Sequence, residues 1–366
     1  MLFFSFLVTS AGVLTLSFLF SESIKGVLNR FQLSERFVGS SLLATGTSFP
    51  EVINAITAGF YDRADSKFKY SIDSFYNLTG ASLIQIIFLA GLGIALYHLT
   101  KKKRFTSEEY QSFIGSTFHK KTLLWFLFTF ELALLLVAVS FPTFSTKLNI
   151  GQISPLPFLF CLVWICYLVF SKKEKEEIKS YSNIFDKLSK NKFLGVFGLI
   201  FICFSGLSFL NFNIVTKFEK SFSIPRNIGL GTILSLVTSF PEFSSFFFLF
   251  KSRHFGLASA GIFGSALFNL FLPSLTQSIQ GGWILSQLST DTNTQTSLSC
   301  WLGLALVLNL LFLVAFYTNS KGNYILNLKY EKWNLSWDWV LVLCYLTCSF
   351  ILFPIFLKSD GAETAK

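Results

Sequence analysis

Apolar runs of about 20 residues, each long enough to cross a bilayer as a helix, recur ten times along the chain. They fall near 2–20, 37–60, 75–99, 122–141, 154–171, 193–210, 228–250, 256–277, 299–317 and 337–357. Such a pattern leaves an all-α membrane protein as the expected fold, because a lipid-exposed backbone must satisfy its hydrogen bonds within each segment. Composition agrees: 52% of the 366 residues are hydrophobic and 14% are charged, against about 25% charged in soluble domains. The first run, within MLFFSFLVTSAGVLTLSFLFSES, lacks a positive leading region. At about 19 residues it also exceeds the roughly 7–15 of a signal-peptide core, so it reads as the first span.

Lys and Arg set the orientation. With the N-terminus outside, the inner loops 21–36, 100–121, 171–192, 251–255 and 318–336 carry 21 of the 30 basic residues. The positive-inside bias therefore places both termini outside. The net charge of +10 fits cationic cytoplasmic loops; no basic block sits beside an aromatic reading surface, so nucleic acid is not an expected partner. The largest basic segment, SKKEKEEIKSYSNIFDKLSKNK, divides the chain into a first half (1–171), a linker (172–192) and a second half (193–366). The linker reads as a solvated connector. All six cysteines lie inside apolar runs without metal-site spacing, and read as inert thiols.

The halves contain a repeat. ATGTSFPE (44–51) recurs as SLVTSFPE (235–242), and NLTGASLIQ (77–85) corresponds to AGIFGSALFN (260–269). Gly80 aligns with Gly264, Ala81 with Ser265, Ser82 with Ala266 and Gln85 with Asn269. The extra residues of the first half are most easily placed in the outer loop YDRADSKFK. Five spans per half is an odd number, so the second copy runs opposite to the first. Two inverted five-helix repeats are expected, with binding near the bilayer midplane.

A carboxylate inside a span marks function by default. Glu51 and Glu242 stand in the two motif copies. On a continuous helix Thr47 and Ser48 lie four and three positions before Glu51, on its face, as do Thr238 and Ser239 before Glu242. Each face then offers two hydroxyls and a carboxylate, hard donors suited to sodium and calcium. Pro50 cannot donate to the carbonyl of Gly46, nor Pro241 to that of Val237, which frees carbonyls where a wet cavity is needed. Gln85 and Asn269 could add amide oxygens, and Ser265 a hydroxyl. Glu131 is a third carboxylate within a span and has no counterpart in the repeat. A protonated or helix-pairing role and a proton-linked role both remain open for it. Asp73 reads as a solvated helix cap, with attraction of cations at the outer mouth as the alternative, and His98, His119 and His254 as interfacial. There is no Walker A loop, HExxH or GxSxG, so no enzyme is expected.

These residues resemble the cation/calcium exchanger superfamily, whose two alpha repeats typically read GTSxPE followed by GSNxFN or GSNxFD. FLFSESIKGVLNRFQLSERFVGSSLLATGTSFPE looks like the opening of the first repeat, and IPRNIGLGTILSLVTSFPE like that of the second. The resemblance implies that Thr47, Ser48, Glu51, Thr238, Ser239 and Glu242 coordinate ions. It also implies backbone carbonyls at Ala44 and Ser235, with further ligands at Gln85, Ser265 and Asn269. It implies first and sixth spans that slide across a rigid core of eight helices, and exchange of sodium for calcium by alternating access. Where the family reads GSNxFN, this chain reads GASLIQ, losing a hydroxyl at Ala81, and GSALFN, with Ala266 for Asn. Asn269 resembles potassium-independent members, and the GNAxEH-like signature of proton/calcium exchangers is absent. The expected partners are the lipid bilayer and the transported Ca2+ and Na+, without cofactor or obligate protein partner. The compact chain fits a prokaryotic inner membrane. Proton or other divalent-cation coupling on the same scaffold, and a non-transporting homologue, are the alternatives.

Overall fold

The computed structural model describes residues 2–65, 69–85, 122–141, 147, 149–150, 153–173, 183–222, 235–282, 292–320, 329–330 and 333–334. The expected span 337–357, parts of the third and seventh, and His98 and His119 lie outside the described residues. Apart from one short strand pair, Lys329–Tyr330 with Trp333–Asn334, and an isolated bridge between Ile150 and Ile153, the described regular structure is helical.

Helix α1 spans Leu2–Phe31. The second span is broken into α2 (Glu35–Val38), a π-helical turn (Gly39–Leu43), α3 (Ala44–Thr47) and α4 (Phe49–Asp65). Then follow α5 (Lys69–Leu83), α6 (Thr122–Ser140), α7 (Leu156–Lys173) and α8 (Lys190–Phe222). The second motif is again broken, into α9 (Ser235–Thr238) and α10 (Phe240–Lys251). The described helices end with α11 (Phe255–Gln280) and α12 (Thr292–Ser320).

Among the described residues, three helices are long and apolar enough to cross a membrane, at Phe4–Phe31, Lys190–Leu207 and Phe255–Gln280; Phe128–Ser140, Leu156–Val169 and Leu298–Leu311 are shorter apolar helices. On α8, Leu194, Leu199, Ile202 and Leu210 are exposed, and on α7 so are Leu159, Leu162, Ile165 and Val169. Outward apolar stripes of this kind suit a hydrocarbon surround and not water. Three of the four described cysteines, Cys166, Cys203 and Cys300, are exposed as free thiols, and Cys161 is half-buried.

The inner wall is α11, buried from Leu257 through Leu270. It packs on the π-helical turn through small residues. A Cβ on Gly264 would lie 2.5 Å from Ser40 Cα, so only glycine allows this approach. Thr276 ties α11 to α4 through the Ala55 carbonyl at 3.1 Å, and Gln277 ties it to α7 through both backbone groups of Ser154.

Two expected loops are helical. Residues 21–31 continue α1, because their charges find partners: Lys25 pairs with Glu22 at 2.6 Å, and Arg30 donates to the Phe185 and Leu188 carbonyls at 2.6 and 2.9 Å. Arg30 also lies 4.1 Å over the Phe193 ring. The described end of the linker is thus docked on α1 rather than wholly solvated. Most of residues 61–74, between the expected second and third spans, belongs to α4 and α5. Asp62, buried, accepts from the Tyr70 and Ser71 amides at 2.9 and 2.6 Å and caps the start of α5. Helices α1 and α8 form a pair glued by Phe20, which stacks on Phe204 at 5.4 Å and Phe197 at 5.9 Å.

Candidate cation site

Both TSFPE segments break at the same serine. Ser48 has φ −86° and ψ 15°, and Ser239 has φ −81° and ψ 3°. The cause is the proline two positions later, which supplies no N–H and is tolerated in the first turn of a new helix. Before each break one bond still closes: Ser48 donates its amide to Ala44 O, and Ser239 to Ser235 O, both at 3.0 Å.

The break re-aims the serines. Ser48 does not hydrogen-bond the Glu51 of its own motif. Its Oγ donates to Glu242 Oε1 at 2.8 Å, across to the other motif. Ser265 of α11 donates to the same oxygen at 3.2 Å, and the Ser48 and Ser265 hydroxyls touch each other. Thr47 turns its hydroxyl back onto Leu43 O at 2.9 Å and Ala44 O at 3.3 Å. Thr238 bonds Ser235 O at 3.2 Å.

Glu51 and Glu242 are 0% and 3% exposed, and their charges act on one another. Thr238 faces Glu51 as Thr47 faces Glu242, but neither oxygen of Glu51 has a partner at hydrogen-bonding distance, nor has Oε2 of Glu242 or Oγ of Ser239. Asn269 and Gln85 meet, Nδ2 to Oε1, at 3.5 Å, leaving Asn269 Oδ1 unpartnered. A buried carboxylate without donors is expensive. Here several unpartnered oxygens, two of them on one carboxylate, lie buried on α4, α10 and α11 and at the Ser239 break. That donor set is what a dehydrated cation needs.

The structure therefore gathers Glu51, Glu242, Ser48, Ser265, Ser239, Thr47 and Thr238 about the two helix breaks, with Ala44 and Ser235 one turn before them and the buried Gln85–Asn269 pair one turn of α11 beyond Ser265. Sequence reasoning missed Asn77. Its Oδ1 and backbone oxygen accept from Ser235 Oγ at 3.2 and 3.0 Å, and Oδ1 lies 3.5 Å from Thr238 Oγ1. A polar residue three before Gly80 in a span was the available signal. It also missed Ser17 of α1, whose hydroxyl donates to Pro241 O at 3.1 Å and meets Ser244 and Ser245 at 2.6 and 2.8 Å.

Glu131 is not part of this constellation. It is 1% exposed on α6, and neither oxygen is hydrogen-bonded. The helix pairing beside it runs instead through Asn309 of α12, which donates to Thr129 at 2.7 Å.

Comparison with known proteins follows the same lines. The family model described as sodium/calcium exchanger protein matches residues 1–173 and 192–356. No curated protein matches the chain. Among solved structures, the sodium-calcium exchanger NCX_Mj soaked with 2.5 mM Na+ and 0.1 mM Sr2+ is 16% identical with a TM-score of 0.59, covering 95% of this chain and 98% of that one. The H+/Ca2+ exchanger CAX is 14% identical with a TM-score of 0.57, covering 99% and 90%. At these identities the likeness is one of fold.

Proposed function

From the chain's membership of the sodium/calcium exchanger protein family, we propose that this membrane protein is a secondary antiporter exchanging sodium for calcium. Families of this kind transport ions and are not enzymes. The observation that carries the reading is the pair of buried carboxylates, Glu51 and Glu242, brought together by two matching broken helices with unpartnered oxygens between them.

In this reading the chain has ten spans in two inverted halves, 1–171 and 193–366, joined by the linker 172–192, with both termini outside a prokaryotic inner membrane. The ligands are the side chains of Glu51, Glu242, Thr47, Ser48, Thr238, Ser239, Gln85, Ser265 and Asn269, with the carbonyls of Ala44 and Ser235. One calcium ion draws on both carboxylates; sodium ions compete for the same oxygens, so occupancy by one species excludes the other. Ions that bind one site alternately from two sides exchange without net leak. The α1–α8 pair, cemented by Phe20 and laid against Pro241 through Ser17, is the natural moving part, since it touches the site through few polar contacts.

The test is calcium-45 uptake into sodium-loaded proteoliposomes diluted into sodium-free buffer, beside a pH gradient alone. Uptake driven by sodium and lost in Glu51→Gln supports the exchanger. Uptake driven only by the pH gradient favours the second reading, a proton-coupled antiporter, for which the unpartnered Glu131 is the specific observation. No flux of calcium under either gradient refutes calcium exchange.

A further inference from the structure

The two halves of the site are not equivalent, and the difference traces to one side chain. In the register of the repeat, Glu51 corresponds to Glu242, Ser239 to Ser48 and Ala81 to Ser265. Glu242 receives hydroxyls from Ser48 and Ser265. Glu51 receives neither equivalent: Ser239 Oγ is unpartnered, and Ala81, fully buried, has only a methyl group. The neighbouring hydroxyl does not substitute. Ser82 donates to Leu78 O and to Ala266 O, both at 3.0 Å, and so is turned along α5 and onto the α11 backbone. The threonines do not redress the difference, since Thr238 faces Glu51 just as Thr47 faces Glu242.

Calcium takes about six to eight oxygens and tolerates irregular geometry, so a doubly charged ion shared between both carboxylates loses little at Ala81. A singly charged ion is different. One carboxylate balances its charge, and the rest of its shell must come from neutral hydroxyls and carbonyls. The Glu242 half has that set, and the Glu51 half is one hydroxyl short. Resting on the antiporter reading, we infer that Ala81 is a specificity-determining residue: it leaves the Glu51 half without a sodium ion of its own, so the chain carries one fewer sodium than a site with hydroxyls on both sides, while Glu51 still serves the divalent ion.

The experiment is equilibrium binding of sodium-22 and calcium-45 to the purified full-length protein in detergent, comparing wild type, Ala81→Ser, Ala81→Cys and Ser265→Ala. Ala81→Ser is expected to bind one more sodium per chain, with calcium affinity within about threefold of wild type. Ala81→Cys, which adds volume without a hard oxygen, is expected to bind no more than wild type. Ser265→Ala is expected to lose a sodium, and decides the matter if Ala81→Ser does not fold. Equal sodium numbers in wild type and Ala81→Ser, or an unchanged number in Ser265→Ala, with calcium still bound, overturn the inference alone. Failure of every protein to bind either ion overturns the antiporter reading with it.

Discussion

Ser48 of the first TSFPE segment donates its hydroxyl to Glu242 of the second, Oγ to Oε1 at 2.8 Å. The bond runs between the motifs rather than within one, so the two copies build a single site. Each supplies part of the other's immediate surroundings, and neither is a complete cation site by itself.

Removing that donor is the first prediction. A hydrogen bond to a charged group contributes about 1.5–3 kcal/mol. Ser48→Ala is therefore expected to weaken calcium binding by roughly tenfold or more, measured as a calcium-45 binding isotherm. An affinity within twofold of wild type argues that Ser48 is a bystander.

The crossed bond also marks where sequence reasoning failed. Periodicity placed Ser48 on the face of Glu51, but its hydroxyl bonds Glu242 of the other motif, a crossed partner that a count along one helix cannot supply. The two breaks and both carboxylates were legible because the motifs repeat, and Ser265 through the resemblance to the exchanger superfamily motif. Asn77 was not, since its mate in the register is Gly261 and a repeat cannot flag a residue it lacks. Ser17 was hidden in an apolar run with no motif. The end of α1 was misread because Glu22, Lys25 and Arg30 signal solvent when taken singly, yet Glu22 and Lys25 satisfy one another and Arg30 finds linker carbonyls.

Asn77 supplies the acceptor that orients Ser235 and stands near Thr238. Loss of a buried partner costs about 1–3 kcal/mol. Asn77→Ala should lower calcium affinity by roughly five- to tenfold or destabilise the fold by that amount, while Asn77→Asp, which keeps the acceptor, should retain more of both. Equal behaviour of the two variants in binding and thermal unfolding would count against this role.

Glu131 is buried without a hydrogen-bond partner for either oxygen. Replacing an unsatisfied buried polar group by an apolar one of similar shape is neutral or stabilising. Glu131→Leu should raise the unfolding temperature in detergent and leave sodium-driven calcium uptake intact. Loss of uptake in a stable Glu131→Leu protein would instead assign it a proton-linked role.

Gly46 is open to the Phe20 ring, which fills the space a side chain there would need. The second copy carries Val237 at the matching position. Gly46→Val should cost about 1–3 kcal/mol by overpacking, seen as a lowered unfolding temperature. Phe20→Ala added to it should recover part of that loss, as expected of residues in contact. Simple additivity of the two changes would show that the ring and the motif are independent.

The central claim is that Glu51 and Glu242 hold one divalent ion between them. Equilibrium calcium-45 binding to purified wild type, Glu51→Gln, Glu242→Gln and the double variant tests it most directly. The account predicts one calcium per chain in the wild type and loss of high-affinity binding in either single variant, with nothing further lost in the double. Half of the wild-type capacity surviving in each single variant would mean two separate sites, and would contradict the account.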